Sequence, residues 1–310
     1  MQQFLNILYV WASPKAHSGL ITLGSNSGVL NCGCCSEAIS ARFEKQSRPE
    51  KTMCQKETTK DSRIDNDEER PRTVQAEESK SSEEILKEKI KKILRKHDVG
   101  DKFSHLLLPK ASVLLPITIK DGELFLLFTV RSMELKSSPG DVCFPGGREE
   151  PADSDEVATA LREAEEEVGL RRDQVEVISR LPPTITMAGY LVTPVVAFID
   201  ETFQPRSNPA EVADVFTVPL GYFLEPEKHS SSSYQTSENM SMLTHSFEYN
   251  DPQNNKSFKI WGLTAWFALV LAVLALEKKP VFNVGVDVED LIPSCERFLI
   301  KSYEYKKSKL

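Results

Sequence analysis

Cysteine, positive charge and long apolar runs are all in short supply. Six cysteines in 310 residues, three of them crowded at Cys32, Cys34 and Cys35, do not make a secreted disulfide framework. No matching Cys or His pair follows that cluster at zinc-site spacing, so it reads as a free-thiol loop in a reducing setting. None of the five histidines stands at a nucleophile or metal spacing. The formal net charge of −8 argues against bulk nucleic-acid binding, and an anionic substrate would need metal ions and a few local cations. The most apolar stretch, from Leu263 to Leu276, falls short of the ~20 residues of a membrane span and reads as a packed helix. The start of the chain has a short apolar stretch but no positive n-region, so it reads as a poor signal peptide, and it does not look like an Arg-rich transit peptide. No internal repeat is evident.

What is present divides at about residue 81. Residues 1–80 form an extension, and from Glu44 to Glu84 the chain is almost wholly charged and polar, a composition expected to be disordered. A domain is expected over residues 82–305, followed by a tail over residues 306–310. It opens with a charged amphipathic helix carrying Ile85, Ile90, Ile93 and Leu94. Residues 112–119 and 123–131 then read as a hairpin about Lys120-Asp121-Gly122, with Pro116 expected to weaken the first strand or put it at an edge. Further strands are expected over residues 174–181, 193–200 and 214–218, the last followed by a short helix. Residues 229–241 read as a Ser-rich flexible loop, and residues 244–250 and 256–262 as another hairpin.

The most informative stretch runs from Gly146 to Leu170. From Glu156 onward Val157, Ala160, Leu161, Ala164 and Val168 recur at helical spacing and predict a helix with one face in a core. At 3.6 residues per turn Glu163, Glu166 and Glu167 share an arc of roughly 100°, while Glu165 points elsewhere. Like charges so placed repel, and acids late in a helix oppose its dipole. A bound cation resolves both problems, and clustered oxygen donors suit Mg²⁺ or Mn²⁺. On charge alone, a solvated acidic face explains the run equally well.

The string from Arg162 to Leu170, REAEEEVGL, resembles the second half of the Nudix box, with Gly147 as its leading glycine. In the box's first Glu slot stands Ser154, flanked by Asp153 and Asp155, because the loop carries one extra residue. Upstream, Leu127 to Ser132, Lys136, Gly140 and Phe144 to Gly147 are similar to the motif that precedes the box in the coenzyme A diphosphatases of this family, with Lys136 replacing an Arg. The resemblance implies an α+β fold, a Nudix-type α/β/α sandwich around a mixed β-sheet. It also implies hydrolysis of coenzyme A and its thioesters to 3′,5′-ADP and 4′-phosphopantetheine or its acylated form.

By the same resemblance Glu163 and Glu167 are expected to hold the metal, with Glu166 as a further ligand or base. Arg162 is expected to point away from the metal and orient a Glu. Arg131 and Lys136 are expected to bind substrate, Gly146 and Gly147 to let the backbone approach the diphosphate, and Glu211 to supply an additional carboxylate. Other readings of the box are an ADP-ribose, dinucleoside or nucleoside-triphosphate hydrolase, or a non-catalytic sensor of coenzyme A esters. Ser308, Lys309 and Leu310 spell a peroxisomal address, read by an import receptor.

Overall fold

The structure, a computed structural model, describes residues 81–235 and 241–308. The expected disorder of residues 1–80 and the cysteine cluster lie outside the described residues. In chain order come helix α1 (Ser82–Arg95), strands β1 (Lys110–Lys120), β2 (Glu123–Arg131), β3 (Val142–Cys143) and β4 (Gly146–Arg148), then helix α2 (Glu156–Val168). Strands β5 (Val175–Arg180), β6 (Thr184–Ile185), β7 (Leu191–Ile199) and β8 (Val212–Pro219) follow, the last running into a short 3₁₀ turn, Leu220–Leu224. Strands β9 (His229–Gln235), β10 (Ser241–Asn250) and β11 (Ser257–Trp261) precede helices α3 (Gly262–Leu276) and α4 (Leu291–Lys307).

Alternation along the strands sets the layering. On β1, Val113, Leu115, Ile117 and Ile119 join one buried cluster and Leu114 another; on β7, Val196 and Phe198 face the first and Val195, Ala197 and Ile199 the second. The first cluster contains Ile90, Ile93 and Leu94 of α1 and most of α3, and the second contains Ala160, Leu161, Ala164 and Val168 of α2. A sheet apolar on both faces must be covered on both, which produces the α/β/α sandwich. The sheet is mixed: β1 runs parallel to β7 and antiparallel to β2 and β4.

Four expectations are corrected. Pro116 lies in a central strand, not at an edge, since the order runs β3-β2-β1-β7-β5. On its other side β1 pairs with β4 only at Ala111–Val113 and with β2 only from Ile117. The Leu114 amide donates to Pro145 O on the β4 side, and residues two apart point the same way. Pro116 therefore turns its donor-less nitrogen into the gap between partners, where no ladder bond is lost.

Residues 229–235, read as part of a flexible loop, form an edge strand registered on β10 from Phe247↔His229 to Ser241↔Gln235. Backbone pairing does not depend on side-chain pattern, and the exposed serines conceal it in the sequence. Ile85 is 59% exposed and stands outside the buried face of α1. Helix α4, which no motif announced, continues through Lys306 and Lys307 of the expected tail, burying Leu291 and Leu299. Among the described residues no helix is long and apolar enough to cross a membrane, and α3 is buried from Phe267 to Ala275.

Candidate active site

Helix α2 begins and ends at caps. The Asp155 carboxylate accepts the Ala158 amide at 2.8 Å, a cap worth about 1 kcal/mol, and Gly169 closes the other end at φ 71°. With Ala160, Ala164 and Val168 against the sheet, Glu163 and Glu167 come to the margin beside β4, and Glu165 and Glu166 are exposed.

The backbone at Gly146 and Gly147 lies directly on the two inner carboxylates. Gly146 N donates to Glu167 Oε2 at 3.2 Å. A Cβ added to Gly147 would stand 2.3 Å from Glu163 Oε1, and one on Gly146 would stand 2.3 Å from Ser112 O. Both approaches require the absence of a side chain.

Glu167 is 3% exposed. Burial pushes its carboxyl well above the usual range, and the charges of Glu163 and Glu211 push it further, against the Gly146 amide and Arg131. Glu163 is raised too, by burial first, with Arg162 opposing and Glu166 and Glu211 adding. Glu211, just before β8, thus acts on the same cluster, while its carbonyl accepts the Ser132 amide at 2.8 Å.

Arg162 organises the outer side. Its Nε and Nη2 each donate to Asp153 at 2.9 Å, Nη1 donates to Glu163 Oε1 at 2.8 Å, and Nη2 also donates to Arg148 O at 2.9 Å. Glu166 stands 3.5 Å from Nη1. Hydrogen bonding to Arg162 holds the Asp153 carboxyl below its usual value. The longer loop makes this possible: Glu150 N donates to Asp153 Oδ2 at 2.8 Å and Asp153 N to Glu150 O at 2.9 Å, a turn that aims Asp153 at Arg162. The sequence marked Asp153 only as a neighbour of the Ser154 slot, and Ser154 is exposed.

Two other residues went unannounced in the sequence. Cys143, whose Sγ is 3.1 Å from Thr129 Oγ1, is pushed up to about 12 by burial and then by the charge of Glu167. It is a neutral thiol beside the acids and not a nucleophile. Arg148, next to Gly147, places its guanidinium 4.7 Å over the Tyr190 ring.

The expected substrate residues are placed differently from one another. Arg131 is 6% exposed, and its Nε and Nη2 donate to Ser137 O at 3.3 Å, so it folds its own loop. Lys136 is exposed on that loop. Ser308 caps α4 with its hydroxyl donating to Tyr305 O at 2.7 Å, whereas Lys309 and Leu310 lie outside the described residues.

The donor set fits a hard divalent cation: every acid here offers oxygen, and half-buried Glu163 beside buried Glu167 carries a cost that a positive charge would relieve. Among the described residues no three His, Cys, Asp or Glu side chains close into a ready-made cage. Mg²⁺ does not require one, since it is held by one or two carboxylates, waters and substrate phosphates.

Comparison with known proteins accords with this geometry. The NUDIX domain model matches residues 108–240. Peroxisomal coenzyme A diphosphatase NUDT7 of Mus musculus is 48% identical over 214 residues, covering 69% of this chain and 90% of that protein. Nudix hydrolase 15, mitochondrial, of Arabidopsis thaliana is 37% identical over 164 residues, covering 52% of this chain and 56% of that protein. The Uncharacterized Nudix hydrolase NudL of Photorhabdus laumondii is 43% identical over 155 residues, covering 50% of this chain and 79% of that protein. With a domain model matched across β4 and α2, and a relative matched over 90% of its length, the chain belongs to the Nudix hydrolase family.

Proposed function

We propose that the chain hydrolyses the diphosphate of coenzyme A and acyl-coenzyme A, yielding 3′,5′-ADP and 4′-phosphopantetheine or its acylated form. The observation that carries this reading is the pair of carboxylates, half-buried Glu163 and buried Glu167, set against the Gly146–Gly147 backbone. The substrate is supported by the name of the mouse relative and by the motif from Leu127 to Gly147.

Nudix hydrolases depend on a divalent metal. Here Glu163 and Glu167 would hold Mg²⁺ or Mn²⁺. When bound, such a cation neutralises charge on the diphosphate and lowers the pKa of the attacking water. Glu166, the exposed acid, serves as a further ligand or takes the water's proton as oxygen attacks phosphorus and the bridging oxygen leaves with its electron pair. Arg162 fixes Glu163 and is itself fixed by Asp153. Gly146 and Gly147 let the backbone lie against β1 and the Glu163 carboxylate, which brings the chain that precedes α2 up to the acids. Arg131 shapes the recognition loop from inside, Lys136 offers its charge from the exposed turn, and Glu211 adds negative potential that favours the cation. A pure coenzyme A ester sensor would gain nothing from these acids beside a polyanion. Peroxisomal localisation is supported by the relative's name, with Ser308, Lys309 and Leu310 as the address for the import receptor.

The test is a product assay with purified protein and Mg²⁺ on coenzyme A and on ADP-ribose, repeated with Glu167→Gln. Formation of 3′,5′-ADP and phosphopantetheine only with Glu167 intact is the expected result. Binding without cleavage would favour the sensor, and cleavage of ADP-ribose alone would refute the substrate.

A further inference from the structure

The main sheet forks beside the acids. Strands β1 and β2 pair from Lys120↔Glu123 to Ile117↔Leu126; past that point β1 takes β4 as its partner and β2 takes β3. The segment from Val142 to Arg148 therefore lies between two diverging strands, and the Glu167 carboxylate meets it at Gly146 N. At the open end of the fork is the neck of the loop that follows β2. There Arg131 N donates to Asp141 O at 3.0 Å, Gly140 N to Arg131 O at 3.0 Å, and Ser132 N to Glu211 O at 2.8 Å. The charges of Arg131 and Glu211 both act on Glu167, so this neck adjoins the acid cluster.

Trp261 stands at the same neck. Its Nε1 donates to Asp141 Oδ1 at 3.4 Å, and Thr264 Oγ1 donates to Val142 O at 3.1 Å. The fork is thus tied at two points to the junction where Gly262, at φ 65°, turns β11 into α3. The other described tryptophan has a different setting: Trp266 packs on the core cluster of α1 and α3, with its ring 6.1 Å from that of His245. Trp261 is half-buried and belongs to none of the apolar clusters, and among the described residues no ring and no cation packs on its face.

We infer that Trp261 is the platform on which the adenine of the substrate stacks, with Asp141 as the positioning residue that sets its plane. The inference rests on the coenzyme A reading above. Indole has one polar group, a donor; with that donor engaged by Asp141, what is left for a ligand is a flat π face. Of the parts of coenzyme A, the diphosphate is drawn to the metal-binding acids, and the pantetheine arm is flexible and has no plane to match. Adenine is flat, uncharged and attached to the same diphosphate. A nucleobase stacked on an aromatic side chain gains about 1–3 kcal/mol, enough to make this one ring decide how tightly the nucleotide half is held.

The experiment follows coenzyme A cleavage by the full chain with Mg²⁺ and measures inhibition by each product separately, 3′,5′-ADP and 4′-phosphopantetheine, for the parent, Trp261→Phe, Trp261→Leu and Asp141→Ala. Trp261→Leu keeps apolar bulk without a π face. It should raise the inhibition constant of 3′,5′-ADP about tenfold, the worth of one stacked base, and leave that of 4′-phosphopantetheine where it was. Trp261→Phe should keep most of the parent's affinity for 3′,5′-ADP, and Asp141→Ala, which frees the indole to turn, should lose part of it. An equal rise for both products, an unchanged constant for 3′,5′-ADP in Trp261→Leu, or a Phe variant as weak as the Leu variant would overturn the assignment. Failure of the parent to cleave coenzyme A would instead overturn the proposed function, and this assignment with it.

Discussion

Asp153 clamps Arg162. The carboxylate accepts from Nε and from Nη2 at 2.9 Å each, with 4% of the Asp153 side chain and 20% of the Arg162 side chain exposed. The same guanidinium reaches Glu163 at 2.8 Å, so a loop residue outside the helix sets the direction of an inner acid. Asp153→Ala would remove both charge-assisted hydrogen bonds of the clamp from a half-buried cation that keeps Glu163, at a cost of about 2 kcal/mol. It should also lower kcat about tenfold or more by freeing Glu163. Ser154→Ala, one residue away and exposed, should stay within about 0.5 kcal/mol of the parent and keep full activity. Denaturant melts and product assays on both variants check the contrast.

The two glycines should fail in different ways. Gly147→Ala meets only the end of the Glu163 side chain, which can swing aside, so the fold should survive while activity drops about 100-fold from a misplaced carboxylate. Gly146→Ala meets the backbone at Ser112 O and Val113 Cα, which cannot move cheaply, so the protein should be destabilised or fail to fold. Thermal melting beside kcat distinguishes the two outcomes.

Glu167→Gln keeps the side-chain volume and removes a buried negative charge. The metal-free variant should be at least as stable as the parent, because ionised Glu167 is disfavoured by burial and by Glu163. Its activity should fall about 100-fold or more, and calorimetric Mn²⁺ binding should weaken. Lower stability in the absence of metal would contradict this account of the site.

A part-buried histidine pair predicts acid sensitivity away from the site. His229 Nε2 and His245 Nδ1 are 2.9 Å apart, and His245 Nε2 is 3.0 Å from Val284 O. With His245 donating to that carbonyl, its Nδ1 accepts from His229. Burial, then the neighbouring His245, lowers His229 to about 4 from 6.5. A depressed histidine stabilises the fold above its unfolded value, and that contribution is lost as pH falls from about 6.5 through about 4. The melting temperature should decline across that window, and His229→Gln should flatten the decline.

Deleting Leu310 should move the protein from peroxisomes to the cytosol, scored by fluorescence of an N-terminally tagged chain. Unchanged import would remove the address from the reading.

Much of the site was legible in the sequence because it is local. The spacing of Ala160, Ala164 and Val168 fixes the buried face of α2, and three or four residues of offset then bring Glu163 and Glu167 to its margin; Asp155 and Gly169 mark the ends. The β1–β2 hairpin was legible for the same reason, since Asp121 and Gly122, at φ 53° and 77°, are residue types that accept a two-residue turn. The roles of Asp153, Arg131 and Cys143 were not legible, because each depends on a partner brought close by the fold and not by periodicity.

Local pattern specifies the elements and the chemistry whose period lies within a few turns: the capped acidic helix, the glycine pair before it, and strands apolar on both faces. What meets across the chain is set by the folded molecule. It placed Pro116 at the one gap in a central strand, paired a serine run with β10, turned Arg131 inward, and set Arg148 over Tyr190, 42 positions later in the chain. Backbone pairing and close packing join residues whose separation leaves no periodic trace, whereas helix and hairpin geometry is written in the residues that form them.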